Sequence, residues 1–153
     1  MSEVQFKISI PSDDEGYILL QCAYCGELFK CTADDIEDEN LLDLYCPNCG
    51  LVSENYLTED VIELAMNKVE NYAMDMIYDT FKKLEEKNKS NSLMNIKVRK
   101  RHRHKSEDPI RSGIEALTEN EYKCCDKIAK IKPLLKMSAS YCPFCGVIKF
   151  ADE

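Results

Sequence analysis

Apolar and polar positions alternate over residues 4–10, with Val4, Phe6, Ile8 and Ile10 set against Gln5, Lys7 and Ser9. A period of two predicts a half-buried strand. A turn over residues 11–16 separates it from a second predicted strand, Tyr17–Gln21, and residues 27–31 predict a third. Residues 32–40 are acidic and polar, an expected loop with a short helical turn begun by Thr32. Residues 41–45 and 51–56 are two further short extended segments. The period then lengthens. Ile62, Met66, Val69, Tyr72, Ala73 and Met76, with Phe81 and Leu84 beyond, keep helical spacing. Thr58 is a suitable N-cap, and Glu59 and Asp60 place negative charge where the helix dipole favours it. The predicted helix runs about 25–28 residues, or ~40 Å. A helix that long exceeds what a small ribbon covers. Part of its apolar face is expected to meet the C-terminal module or, through residues 59–84, a second copy of the chain.

Residues 85–92 are polar and turn-rich, and 106–113 contain Pro109 and Gly113, so both stretches are expected to be irregular. Alternation returns towards the C-terminus. Residues 116–123 and 128–132 predict strands, Pro133 ends the second, and 138–141 and 147–150 predict two more. The resulting fold class is α+β, with two small antiparallel ribbons joined by a long amphipathic helix and a basic linker. Its expected segments are 1–58, 59–88, 89–113 and 114–153.

Cysteine spacing explains how such small ribbons fold. Cys22-x2-Cys25-Gly26 and Cys46-Pro-x-Cys49-Gly50 are two knuckles separated by twenty residues. Thiolates three positions apart, followed by a glycine free to adopt a left-handed backbone, present both sulfurs to one cation. Two knuckles complete a tetrahedral structural Zn²⁺ site with no open position. A second set, Cys124, Cys125, Cys142 and Cys145, predicts a second zinc ion. Adjacent residues of a regular strand point to opposite faces. Cys124 and Cys125 therefore need a tight bend at Asp126, unless His102 or His104 replaces one of them. Nine cysteines less two sets of four leave Cys31. It is either a reactive thiol or a small buried apolar side chain, and burial is the commoner fate of free cysteine.

Nine cysteines without tryptophan suit metal-stapled modules better than one large apolar core. No basic-then-apolar leader and no apolar run of about 20 residues is present, so a reducing cytosol is expected, with no membrane association. There, paired cysteines bind metal more often than they form disulfides. The net charge of −8 is unevenly spread: residues 1–60 carry 14 acidic and 2 basic side chains, a balance of −12, and 61–153 the remaining +4. Six basic side chains, Lys97, Arg99, Lys100, Arg101, Arg103 and Lys105, fall within nine residues together with both histidines. This run could contact DNA or RNA phosphates, dock on an acidic protein surface, or stay solvated. It has no interleaved aromatic residue to stack bases.

No nucleophile elbow, metalloprotease helix or phosphate-binding loop is present, which argues against an enzyme. Cys-Pro-Asn-Cys and Cys-Pro-Phe-Cys look like dithiol redox sequences, but each is followed by glycine rather than the helix that would lower the thiol pKa. Redox chemistry at a labile Cys-x2-Cys or at Cys31 is the alternative function.

Cys22-x2-Cys25-Gly26 with Cys46-Pro-x-Cys49-Gly50 resembles the zinc-ribbon superfamily, most nearly the transcription factor IIB-type ribbon. Cys124-Cys125 with Cys142-Pro-Phe-Cys145-Gly146 is similar to small bacterial and phage zinc-ribbon proteins. The resemblance covers some 30 residues at each end. It implies structural metal and a non-catalytic binding module that assembles with a larger protein machine or contacts nucleic acid. The acidic first loop and the doubled Cys124-Cys125 depart from that pattern.

Overall fold

The computed structural model describes residues 3–90, 93, 95–110 and 116–151. The expected boundary between residues 113 and 114 lies outside them. The chain forms two compact units, each discontinuous in sequence. One joins Met1–Ser9 to Asp60–Pro109; the other joins Ile10–Glu59 to Ile110–Glu153. As the pattern of the sequence predicts, the class is α+β, with antiparallel ribbons and one long helix.

In the second unit, strands β1 (Tyr17–Gln21) and β2 (Leu28–Thr32) form one hairpin, and β3 (Thr118–Tyr122) and β4 (Lys127–Ile131) form another. β2 and β4 pair antiparallel, so the two hairpins share one four-stranded sheet of order β1-β2-β4-β3. Their join is at Lys30 opposite Lys130, a difference of one hundred in number. The same offset relates the elements that follow. Thr32 caps helix α1 (Ala33–Ile36), and Lys132 occupies the capping position of α3 (Pro133–Met137). The Thr32 hydroxyl accepts a hydrogen bond from the Asp35 N–H, whereas α3 has Pro133 in its first turn, where a missing N–H costs nothing. The unit is thus an internal pseudo-dimer with its two-fold axis at the β2–β4 join.

Side-chain parity on these strands builds the core. Phe29, Cys31, Ala129 and Ile131 lie on one face of the central pair and are fully buried, with Tyr122, Cys142 and Phe144 packed on them. The Phe29 ring meets Tyr56 edge-on at 5.6 Å between centroids. Deleting a ring buried that completely costs about 3–5 kcal/mol. Lys30 and Lys130 lie on the other face, side by side, and both reach Asp13 Oδ2, at 3.3 and 3.1 Å. Desolvation pushes the Asp13 carboxyl up. Hydrogen bonds from the Tyr17 and Glu15 N–H groups and from the two lysines outweigh it and hold Asp13 down at about 2. Asp13 bridges the two like charges that the symmetry forces together, and Glu15 supplies the second carboxylate by pairing with Lys130.

Two expectations from alternation are corrected. Residues 4–10 form no strand. In the first unit, Phe6 instead packs edge-on against Tyr72 at 5.6 Å, and Lys68 Nζ donates to the Lys7 carbonyl at 3.1 Å. Phe6 thus turns to a helix, which requires no ladder partner. Residues 41–45 and 51–56 are not strands either; a single bridge, Tyr45 to Val52, joins them. Strands β5 (Ala139–Tyr141) and β6 (Ile148–Phe150) form the equivalent ladder in the other half. Helix α2 spans Glu59–Asn88, 30 residues, beginning directly after Thr58.

Candidate metal centres and the basic segment

Three of the four cysteine turns are built alike. In each, the N–H of the first cysteine donates to the carbonyl five residues on: Cys22 to Glu27, Cys46 to Leu51 and Cys142 to Val147, at 2.8–3.0 Å. The glycine N–H returns to that cysteine's carbonyl, and the glycine takes a left-handed φ of 73°, 69° or 75° at Gly26, Gly50 and Gly146. Side chains with a Cβ resist that conformation. The sequence Cys-x2-Cys-Gly therefore closes a loop that turns both sulfurs inward.

Cys22, Cys25, Cys46 and Cys49 bring their four sulfurs within 4.8 Å of one another. Cys22 to Cys49 is 3.7 Å and Cys25 to Cys46 is 3.5 Å. A disulfide requires about 2.05 Å. Four sulfurs placed tetrahedrally at 2.3 Å from a central ion are ~3.8 Å apart, so these edges fit a metal rather than a bond. Burial pushes the Cys46 thiol up. Cys25 goes the other way: desolvation is outweighed by hydrogen bonds from the Glu27 N–H, Cys46, Asn48 and Cys22, which bring it down to about 7. The Asn48 N–H also points at Cys46 Sγ, at 3.4 Å. Such a set is primed to lose protons to a cation and cannot ionise fully without one.

Cys124, Cys125, Cys142 and Cys145 form the second group, again within 4.8 Å, with Cys145 to Cys124 at 3.5 Å. The bend that adjacent cysteines require is present: Asp126 has φ of 51°, the one non-glycine residue in the left-handed region among those described. The offset of one hundred explains the irregular motif. Cys125 stands where the first half has Cys25, and Asp126 where it has Gly26. Tyr122 stands in the place of Cys22, and Cys124 in the place of Tyr24. Cysteine and tyrosine have exchanged places across the turn. Tyr122 is fully buried, its hydroxyl 2.9 Å from Ser140 Oγ, whereas Tyr24 is 65% exposed. Neither histidine belongs to the group; His104 Nε2 lies 2.9 Å from Asp75 Oδ1.

The two Cys-Pro-x-Cys-Gly knuckles are also locked together. The Tyr45 N–H donates to the Pro143 carbonyl at 2.8 Å, and the Tyr141 N–H donates to the Pro47 carbonyl at 2.9 Å. Each tyrosine ring lies on the other knuckle's glycine, so that a Cβ at Gly50 would come 2.9 Å from Tyr141, and one at Gly146 2.9 Å from Tyr45. Neither tyrosine is a candidate ligand on cysteine spacing, although Tyr141 opens the motif by which the second knuckle resembles a ribbon. Their signal was the shared tyrosine directly before each Cys-Pro-x-Cys-Gly.

Cys31 joins neither group. It is fully buried in the core, and burial above all raises its thiol pKa.

The basic segment runs back along α2. Asn71 grips its backbone at Lys105: Asn71 Nδ2 donates to the Lys105 carbonyl at 2.9 Å, and the Lys105 N–H donates to Asn71 Oδ1 at 2.8 Å. Lys105 Nζ is 2.6 Å from Glu70, and Arg101 is 3.2 Å from Asp79 with its guanidinium 5.0 Å from the Tyr78 ring. The hydrogen bond from His104 holds the Asp75 carboxyl below its ordinary value. Nearer the start of the segment, the Val98 N–H donates to Glu85 at 3.4 Å. Lys97, Arg99, Lys100 and Arg103 are exposed. The run thus divides into anchors on an acidic helix face and outward-facing cations.

Compared with protein-family models, with curated proteins and with solved structures, the chain finds no match. No helix among the described residues is long and apolar enough to cross a membrane.

Proposed function

We propose that this chain is a non-catalytic zinc protein of a reducing compartment, an adaptor that assembles with a larger protein complex. The observation that carries the reading is the pair of all-sulfur groups, each with edges suited to one tetrahedral ion. Four thiolates complete the coordination of Zn²⁺ and leave no position for a substrate, so bound zinc would supply cross-linking and no chemistry. Cys22, Cys25, Cys46 and Cys49 would hold one ion, and Cys124, Cys125, Cys142 and Cys145 the other. The burial of Cys31 speaks against its use as a nucleophile. Lys97, Arg99, Lys100 and Arg103 are the side chains available for a nucleic-acid contact, because Arg101, His104 and Lys105 are engaged with α2.

Native mass spectrometry tests the metal reading and predicts two zinc ions per chain. Thiol titration of the loaded protein should find no fast-reacting cysteine; a low-pKa thiol that reacts before chelation would favour the redox alternative. Fluorescence anisotropy with DNA and RNA at low salt tests the contact. Arg99→Ala/Lys100→Ala/Arg103→Ala should abolish binding, with each lost phosphate contact reducing the salt slope by roughly 0.9 on duplex DNA. Absence of binding by the intact chain at low salt would leave only the protein partner.

A further inference from the structure

Helix α2 wears its faces the wrong way round for a monomer. Asn67, Asn71, Asp75 and Asp79 are engaged by the chain's own basic segment. The opposite face carries an apolar stripe whose large side chains are 39–65% exposed. Its positions are 62, 66, 69, 73, 77, 80 and 84, so the steps along it are 4, 3, 4, 4, 3 and 4. That series reads the same in both directions about Ala73. A stripe with palindromic spacing is self-complementary under a two-fold axis perpendicular to the helix, the requirement of an isologous interface.

We infer that two copies of the chain pair antiparallel through α2, crossing at Ala73. This register sets Ile62 against the partner's Leu84, Met66 against the partner's Thr80, and Val69 against the partner's Ile77. The smallest side chain meets itself at the midpoint, where the helices come closest. Thr80 joins the apolar seam at little cost, because its hydroxyl already donates to the Met76 carbonyl at 2.7 Å. The next layer outward at each end puts Glu59 opposite the partner's Lys87, a charge-complementary closure of the stripe. The stripe repeats seven positions over six turns of 3.67 residues, close to the natural 3.6, so the helices can pair almost straight. The five large apolar side chains of the stripe, with Met76 beside it, at about 100 Å² each offer roughly 600 Å² per copy, the lower end of a standard stable interface.

Sedimentation equilibrium of the zinc-loaded full chain tests this. A species of twice 17.6 kDa is expected at micromolar concentration. Ala73→Arg should raise the dimer dissociation constant by about 100-fold or more, since it buries two facing charges. Ala73 is exposed in the single chain, so folding should survive, with unchanged circular dichroism; Met66→Glu is the second variant if it does not. Glu59→Lys should weaken the dimer and Glu59→Lys/Lys87→Glu should restore it, because in this register residue 59 faces residue 87. A chain that stays monomeric to about 100 μM overturns the proposal and leaves the stripe to a different protein. A dimer indifferent to Ala73→Arg and Met66→Glu overturns it too. A dimer broken by both, yet indifferent to the charge exchange, overturns the antiparallel register.

Discussion

The two cysteine centres occupy equivalent places in a pseudo-symmetric unit, yet they are built from different turns. The first combines two glycine knuckles, Cys22–Gly26 and Cys46–Gly50. The second has one such knuckle and a hairpin in which Asp126 takes the left-handed position and the missing ligand is regained two residues later at Cys124. What is common to both is the arrangement of four sulfurs, not the order of residues that delivers them. A cation constrains distances between sulfurs, and any turn meeting them suffices. The exchange has a structural consequence as well. With Tyr122 in place of Cys22, a ring enters the core, and the replacement ligand moves outward to an exposed position. A cavity of about 120 Å³ lined in part by Lys123, Cys124 and Val147 opens beside it.

The comparison is broken most severely by taking metal away. Full chelation should unfold the sheet-bearing unit, because coordination energy in small modules is folding energy, on the order of 10 kcal/mol per site. With limiting chelator the second centre should empty first, through Cys124. Native mass spectrometry of the Cys46→Ser and Cys124→Ser variants identifies which ion leaves. Loss from the first centre ahead of the second contradicts the asymmetry.

The crossed knuckles are the next test. Gly50→Ala and Gly146→Ala should each destabilise by about 2–4 kcal/mol, combining left-handed strain with overpacking on the facing tyrosine. The pseudo-symmetry predicts similar losses, read from thermal or denaturant unfolding of the zinc-loaded chain. A cost at one glycine and none at the other would dissolve the two-fold lock.

Asp13→Asn probes the axis itself. The folded carboxyl is held at about 2, below the unfolded value of ~3.9. Its stabilisation is therefore complete above about pH 4 and is lost as pH falls through 4 towards 2. The variant should be weaker by on the order of 1–2 kcal/mol, by a constant amount between about pH 5 and 8. Acid unfolding with a midpoint well above 4 would then belong to thiolate protonation and metal release. A gap that widens or closes above pH 5 contradicts the assignment. The mildest change is Asp126→Gly, which gives the second hairpin the first one's residue. Relief of strain offsets the entropy of glycine, so a shift within about 1 kcal/mol is expected, with the two-ion stoichiometry intact.

Much of this was legible in the sequence because it is local. Cys-x2-Cys-Gly closes by its own hydrogen bonds, Thr32 caps its own helix, and the need for a bend at Asp126 follows from strand parity alone. The apolar period marked α2 to within a few residues of its ends. The remainder depends on pairing across long separations. Nothing local specifies that Lys30 lies opposite Lys130, so the fusion of two hairpins into one sheet was hidden until the register was seen. The exchange of Cys22 and Tyr24 for Tyr122 and Cys124 was hidden with it. Val4 to Ile10 shows the opposite failure. Its alternation is real, but alternation does not say what the apolar positions meet: Phe6 meets Tyr72 of a helix and stays 41% exposed. In the basic run, charge was evident, whereas the division between anchors and free cations needed the acidic face of α2 in view.

X-ray absorption at the zinc edge, with metal quantified per chain, tests the central claim most directly. Two zinc ions per chain are predicted, both bound only by sulfur, four at about 2.3 Å each. A mixed nitrogen or oxygen shell, fewer than two ions, or a folded metal-free chain with cysteines in disulfides would contradict it.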